Sequence, residues 1–137
     1  MTDPHKVDKS TGLQHLWNAT RNTNRGLAAA FRNESAFRQI VAMTVVLAPT
    51  GIWLGTTGIE RALLVGPLLL MMIVELLNSG IEAVVDRVGL ERHQLSGMAK
   101  DIASAAVGIA ILNVFVIWGL VLWPRYGSIV LSWFIRQ

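Results

Sequence analysis

Residues 75–86 read ELLNSGIEAVVD, and this stretch decides how the chain is to be understood. Glu75, Asn78, Ser79, Glu82 and Asp86 punctuate an otherwise apolar run. On a helix turning about 100° per residue, all five fall within about 100° of arc. A helix apolar enough for lipid therefore carries three carboxylates, an amide and a hydroxyl along one stripe. Ionisable groups at membrane depth are costly, and they face a protein interior or a wet cavity. The stripe is a candidate site by position alone.

Outward from it, the chain separates into apolar blocks. Of its 137 residues, 53% are hydrophobic, and mean hydropathy is +0.48. Residues 39–59 and 102–124 carry no charge, nor do residues 62–74. A spanning helix needs roughly 20 apolar residues. The expected architecture is an all-α membrane protein with transmembrane helices over 35–55, 59–88 and 101–124. A soluble chain this small could not bury three such helices. The second expected span exceeds the hydrocarbon core, so its inner end emerges beside Asp86. Ala103, Ser104, Ala105, Ala106, Gly108 and Ala110 suit close helix packing in the third, where Asn113 reads as an interhelical hydrogen bond. Trp53, Trp118 and Trp123 stand where an outer aromatic belt belongs.

Residues 1–11 read as a disordered terminus. Residues 12–33 are amphipathic but too polar to span, with Leu13, Leu16, Trp17, Leu27, Ala30 and Phe31 at roughly helical spacing. This predicts a surface helix at the membrane interface, with a weak point over 20–24. Residues 12–127 form the expected functional domain and 128–137 a short apolar tail. The first 35 residues contain no apolar leader, so the first span is expected to act as its own insertion signal. With no cysteine, disulfides are excluded.

Charge sets the expected orientation. Of 12 Lys and Arg, nine precede the first span, lie at its start or follow the second span. Only Arg61, Arg125 and Arg136 fall on the other side. The positive-inside rule puts the amino terminus and the 86–101 segment in the cytoplasm and the carboxyl terminus outside. The N-X-S/T patterns at Asn18 and Asn33 are then cytoplasmic and are discounted as glycosylation sites. The basic arm reads as attraction to a membrane surface, and no nucleic-acid motif accompanies it.

GxxxxGK[ST], GxGxxG, HExxH and cysteine pairs are all absent. What remains is a set of carboxylates near a cytoplasmic membrane surface: Glu34, Glu75, Glu82, Asp86, Glu91 and Asp101. Arg87, Arg92, His93 and Lys100 accompany them. Carboxylate oxygens suit magnesium, which keeps phosphate and water as its other ligands. Basic side chains suit phosphate oxygens. A carboxylate held in lipid can accept a hydroxyl proton. Phosphoryl transfer to a lipid alcohol fits these groups, and on spacing alone it is one possibility among several.

The stretch MIVELLNSGIEAVVDRVGLERHQLSGMAKDIASAAV, residues 72–107, resembles the signature of the small bacterial integral-membrane diacylglycerol kinases. RGLAAAFRNESAFRQ, residues 25–39, resembles the same family's amino-terminal segment. The resemblance runs from about residue 12 to 127. It implies an ATP- and Mg2+-dependent kinase of the bacterial inner membrane that makes phosphatidic acid from diacylglycerol. It also implies a homotrimeric helical bundle with active sites shared between subunits. On this resemblance Glu75 corresponds to the general base, Asn78 to its supporting amide, and Glu34 and Glu82 to metal-holding carboxylates that also approach ATP. Glu91, Arg92, His93, Lys100 and Asp101 correspond to further ATP contacts, and Asp86 to the polar end of the stripe. Ala36, Phe37, Arg38, Gln39, Trp53, Arg61, Ser104, Trp118 and Trp123, together with Glu75, fall on positions associated with the lipid substrate.

Two departures stand out: His15 replaces an arginine usual in the surface helix, and Asn22 a tyrosine, so neither role is carried over. The apolar tail also exceeds the usual family length. Three other readings remain: an undecaprenol kinase of the same family, a small proton or ion channel lined by the stripe, and a non-catalytic assembly subunit.

Overall fold

The computed structural model describes residues 12–88 and 93–135, and the side chains of all of these except 128–134. About 96% of the described residues are helical, and none is in a strand. Four helices follow in order: α1 (Gly12–Asn33), α2 (Ser35–Leu54), α3 (Gly58–Val88) and α4 (Gln94–Ile135). The chain divides into two compact units, Met1–Glu34 and Ser35–Gln137.

In the first unit, α1 runs unbroken through 20–24. Thr20 and Thr23 donate their hydroxyls to the carbonyls of Leu16 and Ala19, at 2.9 and 3.0 Å. These bonds keep the threonines inside the helix instead of interrupting it. The helix closes at Glu34, whose N–H donates to the Ala30 carbonyl.

In the second unit, α3 is central and packs against both α2 and α4. Its buried face is a ladder: Leu64, Leu68 and Met71, each fully enclosed. With Ile40 of α2 and Ala110 and Val114 of α4, Leu68 and Met71 form the core. Of the small residues on α4, Ala103 and Ala110 are the ones buried, seven apart and so on one face. Ser104, Ala105, Ala106 and Gly108 lie exposed on other faces. Three helices are long and apolar enough to cross a membrane, within Ser35–Leu54, Gly58–Val88 and Gln94–Gly127.

The boundaries differ from the sequence reading at both ends of α4. The helix starts at Gln94, two turns before the expected start of the third span at 101. His93 provides the start: its Nδ1 accepts the Leu95 N–H at 3.2 Å, and its carbonyl accepts the Gly97 N–H. At the other end α4 passes Pro124 and continues to Ile135, so the described part of the tail, residues 128–135, is helical. The turn between α2 and α3 falls at residues 55–57, one residue earlier than expected, with α2 ending at Leu54 and α3 beginning at Gly58. Thr57 caps α3 by accepting the Glu60 N–H, while Glu60 Oε2 accepts the Thr56 N–H and hydroxyl at 2.8 Å. Arg125 ties this turn to α4, donating to the Leu54 carbonyl at 3.2 Å and the Thr56 hydroxyl at 2.9 Å.

Candidate active site

The face of α3 that builds the core also builds the site. Leu64, Leu68, Met71 and Glu75 follow at intervals of four, three and four residues, so they share a face. Glu75 is 3% exposed, the buried charged residue among the described side chains. One turn further on, Asn78 and Ser79 are half-buried, then Glu82 half-buried, and Asp86 exposed. The stripe thus opens progressively, from a buried carboxyl to one at the surface. Helix period puts these residues on one face, and their exposure rises along α3 toward Val88.

Local bonds fix the geometry along the stripe. Ser79 Oγ donates to the Glu75 carbonyl at 3.1 Å, which keeps that hydroxyl on the helix. Asn78 Nδ2 donates to Glu82 Oε1 at 3.0 Å. Asn78 Oδ1 is buried and accepts no hydrogen bond. The amide orientation is dictated by its neighbour, since the reverse would set a carbonyl oxygen against the carboxylate. The result is an amide oxygen and a carboxylate from consecutive turns, each with acceptor capacity left. From α4, Lys100 Nζ forms an ion pair with Asp86 Oδ1 and also feels the field of Glu82. This places a cation from the second helix beside the open end of the stripe.

No group of three or more His, Asp or Glu side chains able to hold a metal occurs among the described residues. The donor set suits magnesium nevertheless. That ion takes one or two protein oxygens and completes its octahedron with phosphate and water. Asn78 Oδ1 is a buried oxygen that accepts no hydrogen bond, on the residue whose Nδ2 meets the Glu82 carboxylate.

The other sequence-predicted residues divide. His93 caps α4, and Asp101 is exposed on the same helix. Glu34 sits half-buried between α1 and α2. Glu91 and Arg92 lie outside the described residues. Among the positions associated with lipid, Ala36, Arg38, Gln39, Ser104, Trp53 and Trp123 are exposed. Phe37 is buried, at 2% exposed, like Glu75 among the positions associated with lipid. Trp118 is half-buried and donates its indole N–H to the Leu64 carbonyl at 2.9 Å, so it joins α4 to α3. Arg61 Nε donates to the Gly55 carbonyl at 3.0 Å and holds the external turn. Trp123 lines an open apolar groove of about 450 Å3 on α4 with Phe115, Val116 and Leu120.

Two features escaped the sequence reading. The Arg125 clasp joins residues about 70 positions apart, which no local pattern reveals. The Glu60–Thr57 cap could have been seen, because T-x-x-E before an apolar run is a helix-start signal.

Comparison with known proteins identifies the family. The profile of the family described as prokaryotic diacylglycerol kinase matches residues 21–122. A diacylglycerol kinase of Haemophilus influenzae is 50% identical over 114 residues, covering 83% of this chain and 97% of that protein. One from Pseudomonas aeruginosa is 50% identical over 119 residues, covering 87% and 97%. One from Escherichia coli K12 is 45% identical over 121 residues, covering 88% and 99%. The chain therefore belongs to the prokaryotic diacylglycerol kinase family.

Proposed function

We propose that this membrane protein transfers the γ-phosphoryl group of ATP to the free hydroxyl of diacylglycerol, giving phosphatidic acid and ADP. The observation that carries the reading is Glu75, a carboxylate enclosed by the core on the face of α3 that opens toward Glu82 and Lys100. Glu75 takes the proton of the lipid hydroxyl as its oxygen attacks the γ-phosphorus. The bond to the β–γ bridging oxygen breaks, and that oxygen leaves with ADP. The burial of Glu75 keeps this end from bulk water, which disfavours transfer of the phosphoryl group to water. Lys100 lies where it can meet nucleotide phosphate oxygens.

The residues present fit magnesium: Glu82, with Asn78 Oδ1 beside it, would hold the ion. Glu34 is assigned as a second carboxylate through the family resemblance. When bound, the ion neutralises charge on the transferring phosphoryl group. Most of the rate then comes from positioning and charge neutralisation rather than from covalent chemistry.

The same reading includes a homotrimer in the inner membrane, with the amino terminus cytoplasmic and the carboxyl terminus outside. The charge distribution supports the orientation, and the family resemblance supports the homotrimer.

A pore reading meets an obstacle in the fold. The polar stripe stops at Glu75, beyond which Leu64, Leu68 and Met71 seal the face. The deciding experiment incubates purified protein in mixed micelles with labelled ATP and magnesium. Diacylglycerol and undecaprenol are offered separately. Label is expected in phosphatidic acid, and label confined to undecaprenyl phosphate, or in no lipid, refutes the proposal.

A further inference from the structure

Residues 102–124 of α4 carry no charge, and Asn113 is the central residue of that run. At about 1.5 Å per residue it stands about 17 Å from either end, in the middle of the hydrocarbon. Its expected interhelical hydrogen bond is not made within one chain. Asn113 is half-buried, and among the described residues nothing hydrogen-bonds its side-chain amide. The residue sits at the edge of the α4 face that Ala110 and Val114 bury in the core. Along that edge Asn113 belongs to a row. Ile102, Ala106, Ile109, Asn113, Val116 and Leu120 follow at alternating intervals of four and three residues. They fall within about 80° of arc, and all except Asn113 are exposed in the single chain. This alternation is the repeat by which two helices pack side by side along their length. A lone asparagine within such a row fixes the register of the pair.

We infer that this row is the face on which a second copy of the chain packs, with Asn113 hydrogen-bonded to a group of the neighbouring copy. The inference rests on the homo-oligomer proposed above and not on the kinase chemistry. It adds which face of α4 meets the neighbour and which residue fixes the contact. The amide decides the occupant. Acyl chains cover an isoleucine or a leucine well, but they offer neither donor nor acceptor, and an unpaired amide at this depth is costly. A protein group is therefore required, and an identical chain supplies one without a further component. Copies inserted in one orientation hold Asn113 at one depth. An amide carries two donors and an acceptor, so it can meet its own counterpart or a main-chain carbonyl. The row extends about 27 Å, nearly the hydrocarbon thickness, so the neighbour is held along the span and not at a single point.

Two sites on α4 make the test direct. Ile109 and Phe115 are equally open in the single chain, at 69% and 70% exposed. They lie on opposite flanks of the packed face, and only Ile109 belongs to the row. The chain has no cysteine, so Ile109→Cys and Phe115→Cys each give one nitroxide site in the full protein. In phosphatidylcholine vesicles the label at 109 should lose oxygen accessibility relative to the label at 115. Asn113→Val should weaken association in detergent by about three- to twentyfold per contact, and Asn113→Gln should keep more of it. Size-exclusion chromatography with light scattering over a detergent series reads the association, and circular dichroism checks that each variant is helical. An oligomer in which both labels are equally accessible overturns this inference alone. A folded Asn113→Val protein that associates like the parent overturns it too. A parent that is monomeric in detergent and in vesicles removes both the proposed assembly and the inference built on it.

Discussion

Replacing Glu75 with glutamine tests the centre of the proposed mechanism. The two side chains share shape and volume, and the site is 3% exposed, so packing around Met71 and Leu68 is retained. What disappears is a proton acceptor. A positioned general base contributes about 10²- to 10⁴-fold. The burial of Glu75 puts the expected loss toward the upper end, because no bulk water reaches the carboxyl to substitute for it. A loss of about 10⁴ in kcat corresponds to about 5.4 kcal/mol of barrier at 1.36 kcal/mol per factor of ten. The KM for ATP should stay within about threefold, since the phosphate-facing groups lie one to three turns further along α3 and on α4. The assay measures labelled phosphatidic acid in mixed micelles over a matrix of ATP and lipid concentrations. Size-exclusion chromatography in detergent and circular dichroism confirm that the variant inserts and assembles like the parent. A correctly assembled Glu75→Gln protein with kcat within about tenfold of the parent refutes the role given to this carboxyl.

Other substitutions probe the scaffold and the metal. Gly51→Ala puts a Cβ 2.9 Å from Leu64 Cβ and 3.4 Å from Trp118 Cζ2. It should cost about 1–3 kcal/mol, seen as faster thermal inactivation, whereas Gly58→Ala, with nothing within 4 Å, should cost nothing. Trp118→Phe removes the indole donation to Leu64 and should destabilise by about 0.6–1.7 kcal/mol in detergent unfolding. Glu82→Gln should shift the magnesium midpoint for turnover upward by about tenfold or more, with helix content unchanged. Lys100→Met should raise the KM for ATP. Its effect on stability should stay below about 1 kcal/mol, because the ion pair with Asp86 is largely exposed.

The membrane architecture was readable because it depends on composition over long windows. Twenty apolar residues in a row admit few alternatives to a spanning helix. The stripe on α3 was readable for a different reason: a fixed helix period converts spacing into direction without knowledge of any partner. Both arguments stop where a second helix is needed. The spacing of Ala103 and Ala110 puts them on one face of α4, but Ser104, Ala105 and Gly108 are as small, and only the angle at which α4 meets α3 selects between them. Phe37 lies among residues that resemble lipid contacts, and its burial is invisible in a local string. Arg125 reads as an isolated outer charge until α4 brings it to the Leu54 carbonyl and Thr56.

Glu75 shows how the two kinds of information combine. Period places it on the face shared with Leu64, Leu68 and Met71, and packing then decides that this face is the enclosed one. Had α2 and α4 gathered on the opposite side of α3, Glu75, the deepest of the stripe's carboxylates, would face acyl chains, at a cost of several kcal/mol. The chain avoids this because the apolar ladder and the polar stripe are one continuous face. Whatever drives α2 and α4 onto the ladder also covers Glu75 and leaves Glu82 and Asp86 to open toward water. Folding and the placing of the carboxyl are therefore a single event, which is why a substitution such as Gly51→Ala, nowhere near the stripe, should disturb both stability and turnover.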